Sequence, residues 1–326
     1  MTAIDISHIR QAAERLRGQI VRTPLVESAV LNERAGCRVF VKAEPLQKTG
    51  SFKIRGALNK ILSTPEERRA KGFVAFSSGN HGQGVAAGGR MMGCPTVIVM
   101  PKDAPSIKIE SCRWWGAEVM LYDRAAEDRE AIGQRIVEER GMTLVPPFDD
   151  PDVMAGQGTM GLEIGEQLTE AGAKPDALLV NCSGGGLASG VTTAVKHAFP
   201  DTRCYTVEPA GFDKMARSLA SGEPQKNERL TGSIMDALMA VVPGRLTLAT
   251  LKHHGVAGLS ATDDEALAAM AVAFRTLKLV VEPGGAAALA ALLAKRIDLA
   301  GKTVVVVCSG GNVDPAMFRR VLSREA

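Results

Sequence analysis

Short apolar runs alternate with longer helical patterns along almost the whole chain, and this alternation limits the possible folds more than any other feature. The runs at 38–42 (RVFVK), 73–76 (FVAF), 96–100 (TVIVM), 118–122 (EVMLY), 177–181 (ALLVN), 203–207 (RCYTV) and 303–308 (TVVVVC) read as strands. Amphipathic stretches such as 125–139 and 263–278 lie between them. Near-continuous apolar strands, each followed by a helix, predict a parallel sheet covered on both faces, an α/β fold. The block 73–145 is self-contained, with three strands each followed by a helix, and reads as a small lobe inserted into a larger sheet built from both ends of the chain. At 326 residues there is enough chain for two lobes.

Composition excludes several function classes. Hydrophobic residues make up 45% and charged residues 23%, ordinary for a soluble enzyme. The net charge of +3 comes from scattered basic residues that usually neighbour acids, so no nucleic-acid or membrane partner is expected. An aromatic content of 4% argues against stacking platforms for single strands. The N-terminal MTAIDISHIRQAAERLRG lacks the apolar core of a secretory signal, and no apolar run approaches the roughly 20 residues that span a bilayer. Six cysteines lie far apart without a C-x-x-C pair, and read as buried free thiols of a reducing cytoplasm.

Lys53, in TGSFKIRGA at 49–57, is the first candidate for chemistry. Phe52 and Ile54 flank it, within a cluster of Gly50, Ser51, Gly56 and Ala57. Small residues admit a ligand or a backbone at close range, and an apolar collar lowers an ammonium pKa and makes the amine a usable nucleophile. On this segment alone, a snorkelling lysine at a helix start fits equally well.

Ligands in open α/β sheets sit beyond the carboxyl ends of strands, and three loops there stand out. SSGNHG at 77–82 follows the strand FVAF and opens a helix, presenting backbone N–H groups suited to a carboxylate or phosphate. NCSGGGLASG at 181–190 follows ALLVN, and its three successive glycines need a reason, since each costs about 1 kcal/mol relative to Ala in a helix. Close backbone approach to a phosphate at a helix N-terminus supplies one. A G-x-G-x-x-G dinucleotide fingerprint fails there at Ser189, although Glu208 ends the next strand where such folds place a ribose-binding acid, so a nicotinamide oxidoreductase stays open as an alternative. CSGGNVD at 308–314 follows TVVVV and offers Ser309 and Asn312. An activated amine, a phosphate nest and a partner for a ring nitrogen are together what pyridoxal phosphate requires.

SFKIRGA, SSGNHG, SGGGL and SGGNVD, in this order, resemble the serine/threonine dehydratase and serine racemase group, fold type II pyridoxal-phosphate enzymes that include 3-hydroxyaspartate dehydratases. The likeness runs from about Thr23 to the end. It implies a large parallel-sheet cofactor domain (1–72 and 146–326) and a smaller inserted mobile α/β domain (73–145). No regulatory domain is expected after the last motif. The resemblance also implies that Lys53 forms the Schiff base, that Phe52 packs on the pyridine ring, and that Asn80 bonds the ring hydroxyl. By the same likeness Ser183, Gly184, Gly185, Gly186 and Leu187 hold the phosphate, Ser309 faces the ring nitrogen, and Glu282 lies near the ring. A serine cannot protonate a pyridine, and the weak electron sink that results favours elimination over transamination. Ser77, Ser78, Asn80 and His81 would bind the substrate carboxylate, and Ser78 is the acid/base opposite the lysine in the racemases.

The implied activity is a lyase that eliminates water from serine, threonine or 3-hydroxyaspartate, giving a 2-oxo acid and ammonium. Racemisation is its nearest competitor, and a non-catalytic carrier of the cofactor is a further alternative. Arg129 bears on the substrate. Ala125, Arg129, Ile132 and Ile136 share one helical stripe, so the guanidinium either snorkels to solvent or points into the cleft to meet a second carboxylate. Metal-dependent relatives hold Mg²⁺ or Ca²⁺ with an acid matching Glu208, a carbonyl matching Phe212 and a second acid. Here Lys214 stands in place of that second acid, and an ammonium there opposes a cation. Either Asp213 substitutes or Lys214 is itself a built-in cation, and the expectation leans against a bound metal. The relatives suggest a homodimer.

Overall fold

Ten strands form two sheets in a computed structural model that describes residues 4–323 apart from 78, 105, 124 and 125. They are β1 Leu25–Glu27, β2 Arg38–Ala43, β3 Phe73–Phe76, β4 Thr96–Pro101, β5 Glu118–Tyr122, β6 Thr143–Leu144, β7 Ala177–Asn181, β8 Arg203–Pro209, β9 Ala257–Ala261 and β10 Thr303–Cys308. All seven strands expected from the sequence are present. The three it missed are the three-residue β1, the two-residue β6, and β9, whose AGLSA carries little apolar signal.

The larger sheet runs β1-β2-β10-β7-β8-β9 and is parallel except for β1, which pairs antiparallel with β2 at the edge. The smaller runs β5-β4-β3-β6, all parallel, and takes its strands from residues 73–144. Alternation along β10 shows how both faces are covered. Val304 and Val306 pack with Val321 on one face, while Val305 and Val307 pack with Val191 and Val195 on the other. The helix after β7 (Gly186–Ala198) and the helix after β10 (Pro315–Leu322) therefore lie on opposite faces. The boundary between these neighbouring strands is the switch point where such sheets open a crevice. The smaller sheet is covered likewise, by Val85 and Ala86 on one side and by Ile132 and Ile136 on the other.

Helix Lys53–Ser63 is held by both parts. Its Ala57 and Ile61 share a core with Phe73, Val85 and Val153. A Cβ at Gly84 would lie 3.0 Å from the carbonyl carbon of Lys53, so helix Asn80–Met92 approaches it backbone to backbone. Two residues on, the fully buried Arg55 guanidinium pairs with Glu44 at 2.8 Å and Glu163 at 2.6 Å, and Glu163 also takes Lys42 at 2.6 Å. Each charge in this cluster has a partner, as burial requires, and the start of the helix is fixed.

Candidate active site

Lys53, the three loops and Arg129 all line one cleft between the two sheets. Lys53 occupies the first turn of its helix and points its amine inward. Its Nζ donates to the Pro147 carbonyl at 2.8 Å and lies 5.2 Å from the centre of the Phe52 ring. No acid pairs with it among the described residues, and burial lowers its pKa to about 8. A useful fraction is then neutral amine near physiological pH.

The glycine loop is held with its carbonyl turned away from the cleft. Gly184 O accepts from Gly244 N at 3.0 Å and from Thr247 Oγ1 at 2.6 Å. Gly185, at φ +101°, bends the chain into helix Gly186–Ala198, and a Cβ there would lie 2.7 Å from Met215 Cε. A side chain at Gly184 would collide with the Phe148 ring. Bare backbone at the start of a 13-residue helix is what remains facing the cleft, and this is an anion cradle. Thr247 was not foreseen. It lies 63 residues from Gly184 in a helix Arg245–His253 that carries no motif.

Loops one and three are joined. Asn312 Nδ2 donates to Asn80 Oδ1 at 2.8 Å, which turns the Asn80 amide nitrogen toward Glu282 Oε1 at 2.6 Å. Burial pushes the Glu282 carboxyl up to about 7. Ser309, buried in the cleft, accepts from Asn181 Nδ2 at 2.9 Å, which leaves its own proton to donate. Ser77 Oγ accepts from Gly79 N at 3.2 Å. His81 donates from Nε2 to the Val145 carbonyl at 2.8 Å, while its buried Nδ1 has no partner among the described residues. Burial, with Lys53 nearby, lowers its pKa to about 3. The ring is thus neutral with an acceptor at Nδ1, so a carboxylate meets only the backbone N–H of His81. Ser78 lies outside the described residues.

These residues fit pyridoxal phosphate: a desolvated amine with no competing acid, a helix-start cradle crowded against side chains, and a neutral hydroxyl donor at Ser309. Arg129 begins helix Arg129–Arg140, capped by Asp128, so the helix starts four residues later than the sequence pattern suggests, and Ala125 lies outside the described residues. Ile132 and Ile136 are buried. The Arg129 guanidinium sits 5.7 Å from the Phe76 ring centre at the cleft, with no ion pair among the described residues.

The expected metal ligands do not fit a divalent cation. Lys214 Nζ bonds Glu208 Oε1 at 2.7 Å, both side chains fully buried, and Met215 N and Ala216 N also donate to that carboxylate. The Phe212 carbonyl accepts from Asn227 at 3.2 Å. The ammonium stands beside the carboxylate that a cation would use. Glu208 is equally unavailable to a ribose hydroxyl. Replacing Lys214 with Met strands a buried carboxylate and is expected to lower stability by about 3–5 kcal/mol, while the double change with Glu208→Gln recovers most of it. Chemical denaturation of the wild type and the two variants measures this, and chelator should leave the wild-type midpoint unmoved.

Residues 16–310 match the protein family described as pyridoxal-phosphate dependent enzyme. The chain is 41% identical to an L-threo-3-hydroxyaspartate ammonia-lyase of a Pseudomonas species, covering 96% of both chains. Its fold superposes on maize serine racemase with a TM-score of 0.91 at 36% identity, over 98% and 97% of the two chains. It superposes on serine racemase from Dictyostelium discoideum with a TM-score of 0.88 at 37% identity, over 96% of this chain and 100% of that one.

Proposed function

The chain belongs to the family of pyridoxal-phosphate dependent enzymes, and from this we propose that it is an ammonia-lyase that eliminates water from a β-hydroxy amino acid, 3-hydroxyaspartate foremost, to give a 2-oxo acid and ammonium. The observation that carries the reading is the convergence of Lys53, the three strand-end loops and Arg129, which has no ion pair among the described residues, in one cleft. The nicotinamide alternative loses its support, since the family is a different one and Glu208 is engaged by Lys214.

The bound cofactor supplies an electron sink that makes the substrate Cα proton removable. When it is bound, the amides of residues 184–187 would hold its phosphate, Phe52 would cover its ring, and Asn80 and Ser309 would meet its ring hydroxyl and nitrogen, with Glu282 close by. Backbone N–H groups of Asn80 and His81, at the start of helix Asn80–Met92, hold the α-carboxylate. The Lys53 amine takes the Cα proton, and the ammonium so formed is a proton source for the departing hydroxyl. Arg129 pairs with a second carboxylate, as its planar fork suits one better than a methyl or hydroxyl. Residues 73–145 form a small domain that closes on the substrate, and in doing so exclude water.

Racemisation is a second reading, favoured by Ser78 in SSGNHG, which matches the acid/base serine of the racemases the motif resembles. One assay tests both. Holoenzyme given serine, threonine and each 3-hydroxyaspartate diastereomer is expected to release ammonium and 2-oxo acid fastest from one 3-hydroxyaspartate. D-serine formed from L-serine reports the racemase. Ammonium from none of them contradicts the lyase.

A homodimer would cover some of the exposed large apolar side chains, among them Leu46 (51% exposed), Val280 (42%) and Leu322 (49%). Free thiols, most of them buried, fit a cytoplasmic setting. No helix among the described residues is long and apolar enough to cross a membrane.

A further inference from the structure

The cleft holds more cationic groups than a monocarboxylate amino acid requires. Lys53 is committed to chemistry, and the start of helix Asn80–Met92 is suited to the α-carboxylate. Among the described residues, Lys108 and Arg129 are the remaining cations that line the cleft, facing it from helices Ser106–Trp114 and Arg129–Arg140 on the smaller sheet's side. Arg129 rests on the Phe76 ring without an acid partner among the described residues. Lys108 has one: its Nζ bonds Asp236 Oδ2 at 3.1 Å. Asp236 belongs to the single turn Asp236–Leu238, between β8 and β9 of the larger sheet, so this ion pair crosses the cleft.

The pair lies at the entrance. The lysine side chain is 26% exposed and the aspartate 62%, so water screens the bond and its net strength is small. An ion pair of this kind is readily exchanged for another carboxylate. Burying a threonine methyl between two cations has no compensating contact, whereas a second substrate carboxylate meets both.

Building on the reading of the chain as a lyase for hydroxy amino acids, we propose that Lys108 is the second cation, beside Arg129, of a subsite for the substrate's distal carboxylate, and that Asp236 occupies Lys108 until that carboxylate arrives. Specificity for dicarboxylic substrates then comes from two residues on one side of the cleft, and Asp236 competes with the ligand from the other. Asp236 accordingly weakens dicarboxylate binding in the native enzyme.

Ligand titration of the holoenzyme by its cofactor absorbance tests this without turnover, with succinate and butyrate as probes of equal carbon count. Lys108→Met is expected to weaken succinate binding roughly 10-fold, with Lys108→Arg restoring most of it. Asp236→Asn is expected to tighten succinate, and neither change should move butyrate more than about two-fold. In kinetics, Lys108→Met raises KM for 3-hydroxyaspartate and leaves that for serine. Equal effects on succinate and butyrate, or succinate binding unchanged in Lys108→Met, would overturn the subsite. Succinate discrimination through Lys108 in an enzyme that releases ammonium from no hydroxy amino acid would keep the subsite and remove the reaction.

Discussion

Lys53→Ala abolishes turnover, with a loss of roughly 10⁴-fold or more in kcat, because one substitution removes both the group that joins the cofactor and the base that takes the Cα proton. The variant should still fold. The lysine amine makes a single hydrogen bond, to the Pro147 carbonyl, and anchors no ion pair among the described residues. Its pKa of about 8 adds a pH dependence. Below that value the apoenzyme's lysine carries a proton and is not nucleophilic, and above it the free amine predominates. The rate of cofactor uptake by apoenzyme should therefore rise with pH through about 8 and then level off. Stopped-flow absorbance measures it, and a flat profile would mean that the lysine is not desolvated as described.

Arg129→Met changes which substrate is preferred more than how fast the enzyme works. A charge-assisted bidentate bond is worth about 1.5–3 kcal/mol, so kcat/KM for 3-hydroxyaspartate should fall roughly 10- to 100-fold. Serine and threonine have no carboxylate to place there, and their kcat/KM should change less than about three-fold. The protein should remain stable, since the guanidinium rests on the Phe76 ring and has no ion-pair partner among the described residues to strand. Parallel losses on threonine and 3-hydroxyaspartate would remove the case for a second carboxylate at this position.

Much of this site was legible because its parts are local in sequence. A strand followed by small polar residues and a helix is a continuous pattern, and each of the three loops has that form. Lys53 was visible for a similar reason, its neighbours being Phe52, Ile54 and glycines. The partners that orient these parts were not legible. Thr247 acts on Gly184 from 63 residues away and Lys108 meets Asp236 across 128, each an ordinary residue in an ordinary context that only the folded chain brings near its target. Asn312 was marked by its glycine loop, but its bond to Asn80, 232 residues away, was not. His81 shows a subtler limit. The sequence marks it as polar and well placed, but the Val145 carbonyl fixes its tautomer and leaves the ring without a proton for a carboxylate.

The start of the Arg129 helix was misplaced although a signal for it existed. Asp128 caps that helix through Glu130 N, and an aspartate just before the buried Ile132–Ile136 stripe marks such a start. The metal site turned on one residue. Lys214 could be read from sequence as an obstacle or as a replacement cation, and the buried bond to Glu208 corresponds to the second.

Borohydride reduction of freshly isolated protein, followed by mass mapping of its peptides, tests the chemistry at position 53 most directly. A yellow preparation that loses its colour on reduction, with added mass on the peptide containing Lys53 and on no other lysine, is the predicted result. A colourless preparation that takes up no pyridoxal phosphate, or an adduct found on a different lysine, would contradict it.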